Sequence, residues 1–106
     1  MKELEFIGSS LNDLKDFPLD ARREVGYELD AVQRGLMPSD FKPMPTVGAG
    51  AYEVRINVKG AWRVIYVAKF EDKVYVLHAF QKKTQATRQE DIDLAARRYK
   101  QIGAPK

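Results

Sequence analysis

Cysteine is absent from this 106-residue chain, which removes disulfides, thiolate nucleophiles and cysteine-type zinc sites together. Such a composition fits a reducing cytosol. Histidine occurs once, at His78, too sparsely for a metal centre, so no metal and no other cofactor is expected. No apolar run approaches the ~18 residues of a membrane span, and the start MKELEFIGSS has no apolar stretch of the signal-peptide kind. The expectation is a cytoplasmic protein with no membrane partner. Internal repeats and low-complexity segments are lacking as well. So is a phosphate-cradling glycine motif, because Gly48-Ala49-Gly50 precedes a strand instead of a helix. Ser9, Ser10 and Ser39 stand in poor contexts for a nucleophile activated by His78.

What is present is an ordinary globular composition, 44% hydrophobic and 31% charged. The length predicts one domain over residues 1–106 that buries roughly two-thirds of its unfolded surface. A net charge of +3 favours an anionic partner but falls far short of a nucleic-acid tail.

Local patterns give the order of elements. Leu4 and Phe6 alternate with Glu3 and Glu5 in a short first strand. Ser9 or Ser10 opens a short helix through Asp16. Pro18 suits the start of a second helix, Leu19 to Arg34, with Ala21, Val25, Leu29 and Val32 as its apolar stripe. Arg22, Arg23, Glu24, Glu28 and Arg34 lie off that stripe as a solvated helix face, and Gly35 reads as a left-handed cap. Met37 to Gly50, rich in proline and glycine, reads as a loop. After three strands, Thr87 to Glu90 fits a capping box opening a last helix. Ile92, Ala95, Ala96, Tyr99 and Ile102 form its buried stripe; Gly103 and Pro105 stop it. Arg97, Arg98 and Lys100 near its end suit the helix dipole.

The segment Ala51 to Thr84 organises the rest. In its first strand Tyr52, Val54, Ile56 and Val58 oppose Glu53, Arg55 and Asn57. A three-residue loop, Lys59-Gly60-Ala61, pairs Val58 with Trp62, Ile56 with Val64 and Val54 with Tyr66, keeping apolar residues together. A two-residue turn at Glu71-Asp72 then pairs Tyr66 with Leu77, Val64 with Ala79, Ile65 with His78 and Arg63 with Phe80. One sheet face becomes a continuous core surface. The other gathers Arg55, Asn57, Arg63, His78 and Lys82 on a floor of Ile65, Val67 and Val76. The preceding loop brings Lys42 to its rim.

Chemically, Arg55, Arg63 and Lys82 form a cation cluster able to hold a phosphodiester and its pentacovalent transition state. RNA cleavage by a 2′-hydroxyl needs that hydroxyl oriented, the phosphate neutralised and two protons moved. Imidazole titrates near neutrality, and a lysine crowded by two arginines is pushed toward its neutral form. Either His78 or Lys82 can therefore serve as acid or base. The plain alternative makes His78 a packed strand residue, and Arg55 and Arg63 surface cations paired with Glu53 or with a partner's carboxylates.

The succession Tyr52-Glu53-Val54-Arg55, Trp62-Arg63-Val64-Ile65-Tyr66 and Leu77-His78-Ala79-Phe80-Gln81-Lys82-Lys83-Thr84 resembles the RelE/ParE superfamily of toxins, nearest to its phage-derived HigB-like branch. The resemblance implies an α+β fold of order β-α-α-β-β-β-α, with helices on one face of the sheet and a basic concave face opposite. It implies the toxin of a type II toxin–antitoxin pair, a metal-independent endoribonuclease that cuts mRNA on the ribosome. Its partners would be a helix-turn-helix antitoxin and the ribosome with mRNA, with operator DNA reached only through the antitoxin. Arg55 and Arg63 match phosphate-binding cations and Lys82 a basic residue of the last strand; His78 and Lys82 stay the acid–base candidates from the residues themselves. Lys42, Asn57, Lys59 and Lys83 are the expected RNA contacts. Tyr66 matches a common tyrosine, but the register turns it to the core. RelE has lysine where this chain has Glu53, and Tyr99 lies too far along to match its C-terminal tyrosine. A ParE-like gyrase inhibitor without catalysis, or an inactive toxin acting as co-repressor, are the competing implications.

Overall fold

The computed structural model describes residues 1–102. Its elements are β1 (Glu3–Phe6), α1 (Ser10–Lys15), α2 (Leu19–Gln33), β2 (Phe41–Pro43), β3 (Ala51–Asn57), β4 (Ala61–Val67), β5 (Lys73–Gln81) and α3 (Gln89–Gln101). The five strands form one mixed sheet in the order β1-β5-β4-β3-β2, with β1 parallel to β5 and the other pairs antiparallel. The fold is α+β.

The α2 stripe is as expected: Ala21, Val25, Leu29 and Val32 are buried against Val54, Ile56, Val64 and Tyr66. Gly35, at φ +85°, closes the helix while the Leu36 N–H reaches back to the Ala31 carbonyl. Burial pushes the Tyr66 hydroxyl pKa up, as befits a packing tyrosine.

Several expectations need correction. The loop Met37 to Gly50 contains β2, paired with β3 at Phe41–Val54, Lys42–Glu53 and Pro43–Tyr52. The β3–β4 loop is Val58-Lys59-Gly60, so the register slips by two: Ile56 meets Trp62, Val54 meets Val64 and Arg55 meets Arg63. A slip of two preserves every face, which is why alternation could not detect it. The turn is fixed by Lys59 and Gly60, both at positive φ (+54° and +131°), and by the Trp62 indole N–H donating to the Val58 carbonyl at 3.0 Å.

The β4–β5 connection runs from Ala68 to Asp72, and a bulge separates Ile65–His78 from Tyr66–Val76. Leu77 is the extra residue. It and Tyr75 therefore join Ile65 and Val67, while Val74 and Val76 join the α2 side. The expected floor of Ile65, Val67 and Val76 loses Val76 to Leu77. Nor is that face open along its length: α3 covers it, with Ala95, Ile92 and Tyr99 packed on Leu77, Ile65 and Val67. Helices thus lie on both faces, α1 and α2 on one and α3 on the other. Arg55 and Arg63, paired across β3 and β4, stand at the other end of that face.

The last two corrections concern α3 and α2. The N-cap of α3 is Arg88 and carries no side-chain cap bond; the Thr87 hydroxyl instead donates to Glu53 Oε2 at 2.7 Å. Arg98, expected only to suit the helix dipole, is buried and bonded across the fold: its Nη1 donates to the Leu77 carbonyl (2.8 Å) and its Nη2 to Ser9 Oγ (3.0 Å). Glu28 of α2 is likewise buried, its two oxygens accepting from the Ser39 N–H and hydroxyl at 2.8 and 2.7 Å. Gly103 and Pro105 lie outside the described residues.

Arg98 ties the bulge to α3 and α1, so Arg98→Met is expected to lower stability by about 2 kcal/mol, or roughly 10 °C in Tm. Arg97→Met, on the exposed side, should stay within about 0.5 kcal/mol. Thermal denaturation of the two variants checks this; equal midpoints would remove the structural role of Arg98.

Candidate functional site

Strand pairing lays the site out in rows. Arg55, Arg63 and Phe80 are cross-strand partners in one row. Lys42, Glu53, Ile65 and His78 form the next. Asn57 pairs with Ala61 in a third, which Lys82 extends by donating its backbone N–H to the Ala61 carbonyl at 2.8 Å. Cross-strand partners share a face, so one surface holds Arg55, Arg63, Lys82 and Lys42.

Two arginines directly opposite one another repel, and each has a carboxylate beside it. Arg55 Nη1 lies 3.8 Å from Asp40 Oδ1, and the Arg55 N–H donates to the Asp40 carbonyl at 2.9 Å. Asp40 is placed by its neighbour Ser39, which Glu28 holds from α2. Arg63 Nε lies 3.8 Å from Oε1 of Glu53, a carboxylate with 0% exposure. Arg63 is itself only 6% exposed, and its Nη1 donates to the Trp62 carbonyl at 2.9 Å. Burial lowers its pKa; Glu53 opposes that and Arg55 adds to it. The buried Nε atoms of both arginines and Oε1 of Glu53 have no hydrogen-bond partner.

Lys82 sits at the mouth of this arrangement. Desolvation lowers its pKa, and Arg63, Lys42 and Arg55 lower it further against the opposing pull of Glu53. A shallow cleft of about 600 Å³ is lined by Ala61, Arg63, Lys82, Lys83, Thr84 and Gln85. An apolar cavity of about 220 Å³ bordered by Val32, Leu36, Tyr52 and Tyr66 lies elsewhere and contains none of these cations.

Not every expected residue joins the cluster. His78 Nε2 is 2.7 Å from Asp91 Oδ1, its Nδ1 is buried without a partner, and its ring stacks on Phe80 at 4.7 Å. Neither imidazole nitrogen is presented to the cleft, so His78 serves here to anchor the start of α3. Lys59 turns away to pair with Asp20 of α2 at 3.0 Å. Lys42 and Lys83 do border the cluster, and Asn57 is exposed at its edge. Sequence alone did not assign Asp40, Asp91, Phe80 or Thr87 to the site. Only Phe80 had a signal, its pairing with Arg63; the others depend on chain returns that carry no local signature.

Among the described residues no group of three His, Cys, Asp or Glu side chains could hold a metal ion. Nor is any described helix long and apolar enough to cross a membrane. The family model described as phage derived protein Gp49-like matches residues 12–100, from within α1 to the end of α3. The chain belongs to the phage-derived Gp49-like family. Members of that family are toxin-like proteins, and the matched span includes every cation of the Gp49-like cluster described above. No curated protein matches the chain.

Proposed function

We propose that this Gp49-like protein is the toxin of a type II toxin–antitoxin pair and cleaves mRNA on the ribosome. The observation that carries the reading is the Arg55–Arg63 cross-strand pair opening beside Lys82. A phosphodiester lying across the pair receives charge neutralisation from both guanidiniums, more strongly as the transition state gains charge. Lys82, held toward its neutral form, takes the proton of the 2′-hydroxyl. The 2′-oxygen bonds to phosphorus while the bond to the 5′-oxygen breaks and that oxygen takes a proton from solvent water, leaving a 2′,3′-cyclic phosphate and a 5′-hydroxyl. No step requires a metal or other cofactor. A helix-turn-helix antitoxin with acidic side chains would inhibit by covering the Arg55–Arg63 face, and the compartment is the cytoplasm.

Induction of the wild-type chain in cells, with mRNA 5′ ends mapped soon afterwards, tests the reading. New ends at a fixed codon phase are expected. Growth arrest with intact mRNA would overturn it and favour a gyrase-directed, non-catalytic toxin.

A further inference from the structure

Glu53 is fully buried, yet it lies on the basic face and touches two parts of the site at once. Its Oε1 faces Arg63 Nε at 3.8 Å, and its Oε2 accepts the Thr87 hydroxyl at 2.7 Å. Thr87 ends the segment after β5 that carries Lys82, Lys83, Thr84 and Gln85, four of the six residues lining the cleft. Arg63 is anchored at Nη1 by the Trp62 carbonyl, while its Nε faces the Glu53 carboxylate at 3.8 Å without a hydrogen bond.

We infer that Glu53 is a positioning residue. It aims the Arg63 guanidinium and, through Thr87, sets the cleft-lining segment over it, so that sheet and segment close on one phosphate. The inference rests on reading the basic face as a phosphodiester site. A carboxylate beneath an anion site opposes binding by simple Coulomb repulsion, so the two effects have opposite signs. If orientation dominates, removing the charge weakens binding; if electrostatics dominates, removing it strengthens binding.

Inorganic phosphate titrated into the full chain, followed by the Nε–Hε NMR signal of Arg63, separates them. The probes are the wild type, Glu53→Gln, which can still accept from Thr87, and Thr87→Val, which keeps the shape and removes the donor. Glu53→Gln should bind phosphate at least tenfold more weakly although the chain is one charge more positive, and Thr87→Val about threefold more weakly. Equal or tighter binding by Glu53→Gln overturns the inference. Should that variant fail to fold, Thr87→Val decides: a threefold loss supports positioning, and unchanged affinity overturns it. A wild type that binds phosphate at Arg63 but cuts no RNA would sink the nuclease reading and leave this one standing.

Discussion

Arg63→Ala is expected to lower ribosome-dependent mRNA cleavage by about 10²–10³-fold, the effect of removing a principal donor to a developing oxyanion. The substitution has a second consequence. It leaves the Glu53 carboxylate, at 0% exposure, without its cation, and stranding a buried charge costs about 3 kcal/mol or more. For a domain with ~5–15 kcal/mol of stability, lost activity could then reflect unfolding. The double variant Arg63→Ala/Glu53→Gln separates the causes, because a neutral amide removes the stranded charge. Its Tm should recover most of the loss while cleavage stays at the Arg63→Ala level. Recovery of cleavage along with stability would show that Arg63 is structural.

Lys82→Ala should slow cleavage by roughly 10²–10³-fold, and the pH profile identifies the role. A base must be neutral, so wild-type cleavage should rise with pH through the Lys82 midpoint, which burial and then Arg63, Lys42 and Arg55 hold below the ordinary lysine value. That rise should vanish in Lys82→Ala. In Lys42→Met, which removes one repelling cation, the midpoint should move to higher pH. Single-turnover rates across a pH series measure both. A profile falling with pH would make Lys82 the acid, and an unchanged profile in Lys82→Ala would place the base elsewhere.

The placement of the candidate cations was legible because strand alternation is robust. Arg55, Arg63 and Lys82 fall on one face under either register of β3 and β4, since a two-residue slip leaves parity intact. What the slip hid was that Arg55 and Arg63 are direct partners, because the turn depends on Lys59 adopting a positive φ that lysine rarely takes. The bulge at Leu77 was equally hidden. Val-Tyr-Val-Leu alternates acceptably either way, and what accompanies the extra residue is a contact from Arg98, 21 positions along the chain. The expectation of helices on one face only came from the resemblance, and α3 overturns it by packing Ile92, Ala95 and Tyr99 on Ile65, Val67 and Leu77. The capping box failed because α3 starts one residue later, with Arg88 as its N-cap, and the Thr87 hydroxyl donates instead to the buried Glu53 carboxylate.

The most direct test of the central claim is cleavage of mRNA on programmed ribosomes with a single 2′-deoxy nucleotide at the position whose ribose precedes the cut phosphate. With an all-ribose message, products ending in a 2′,3′-cyclic phosphate and a 5′-hydroxyl are predicted. With the 2′-deoxy message, cleavage at that position should disappear while binding to the ribosome persists. Continued cleavage there would contradict 2′-hydroxyl attack and the role assigned to the Arg55, Arg63 and Lys82 cluster.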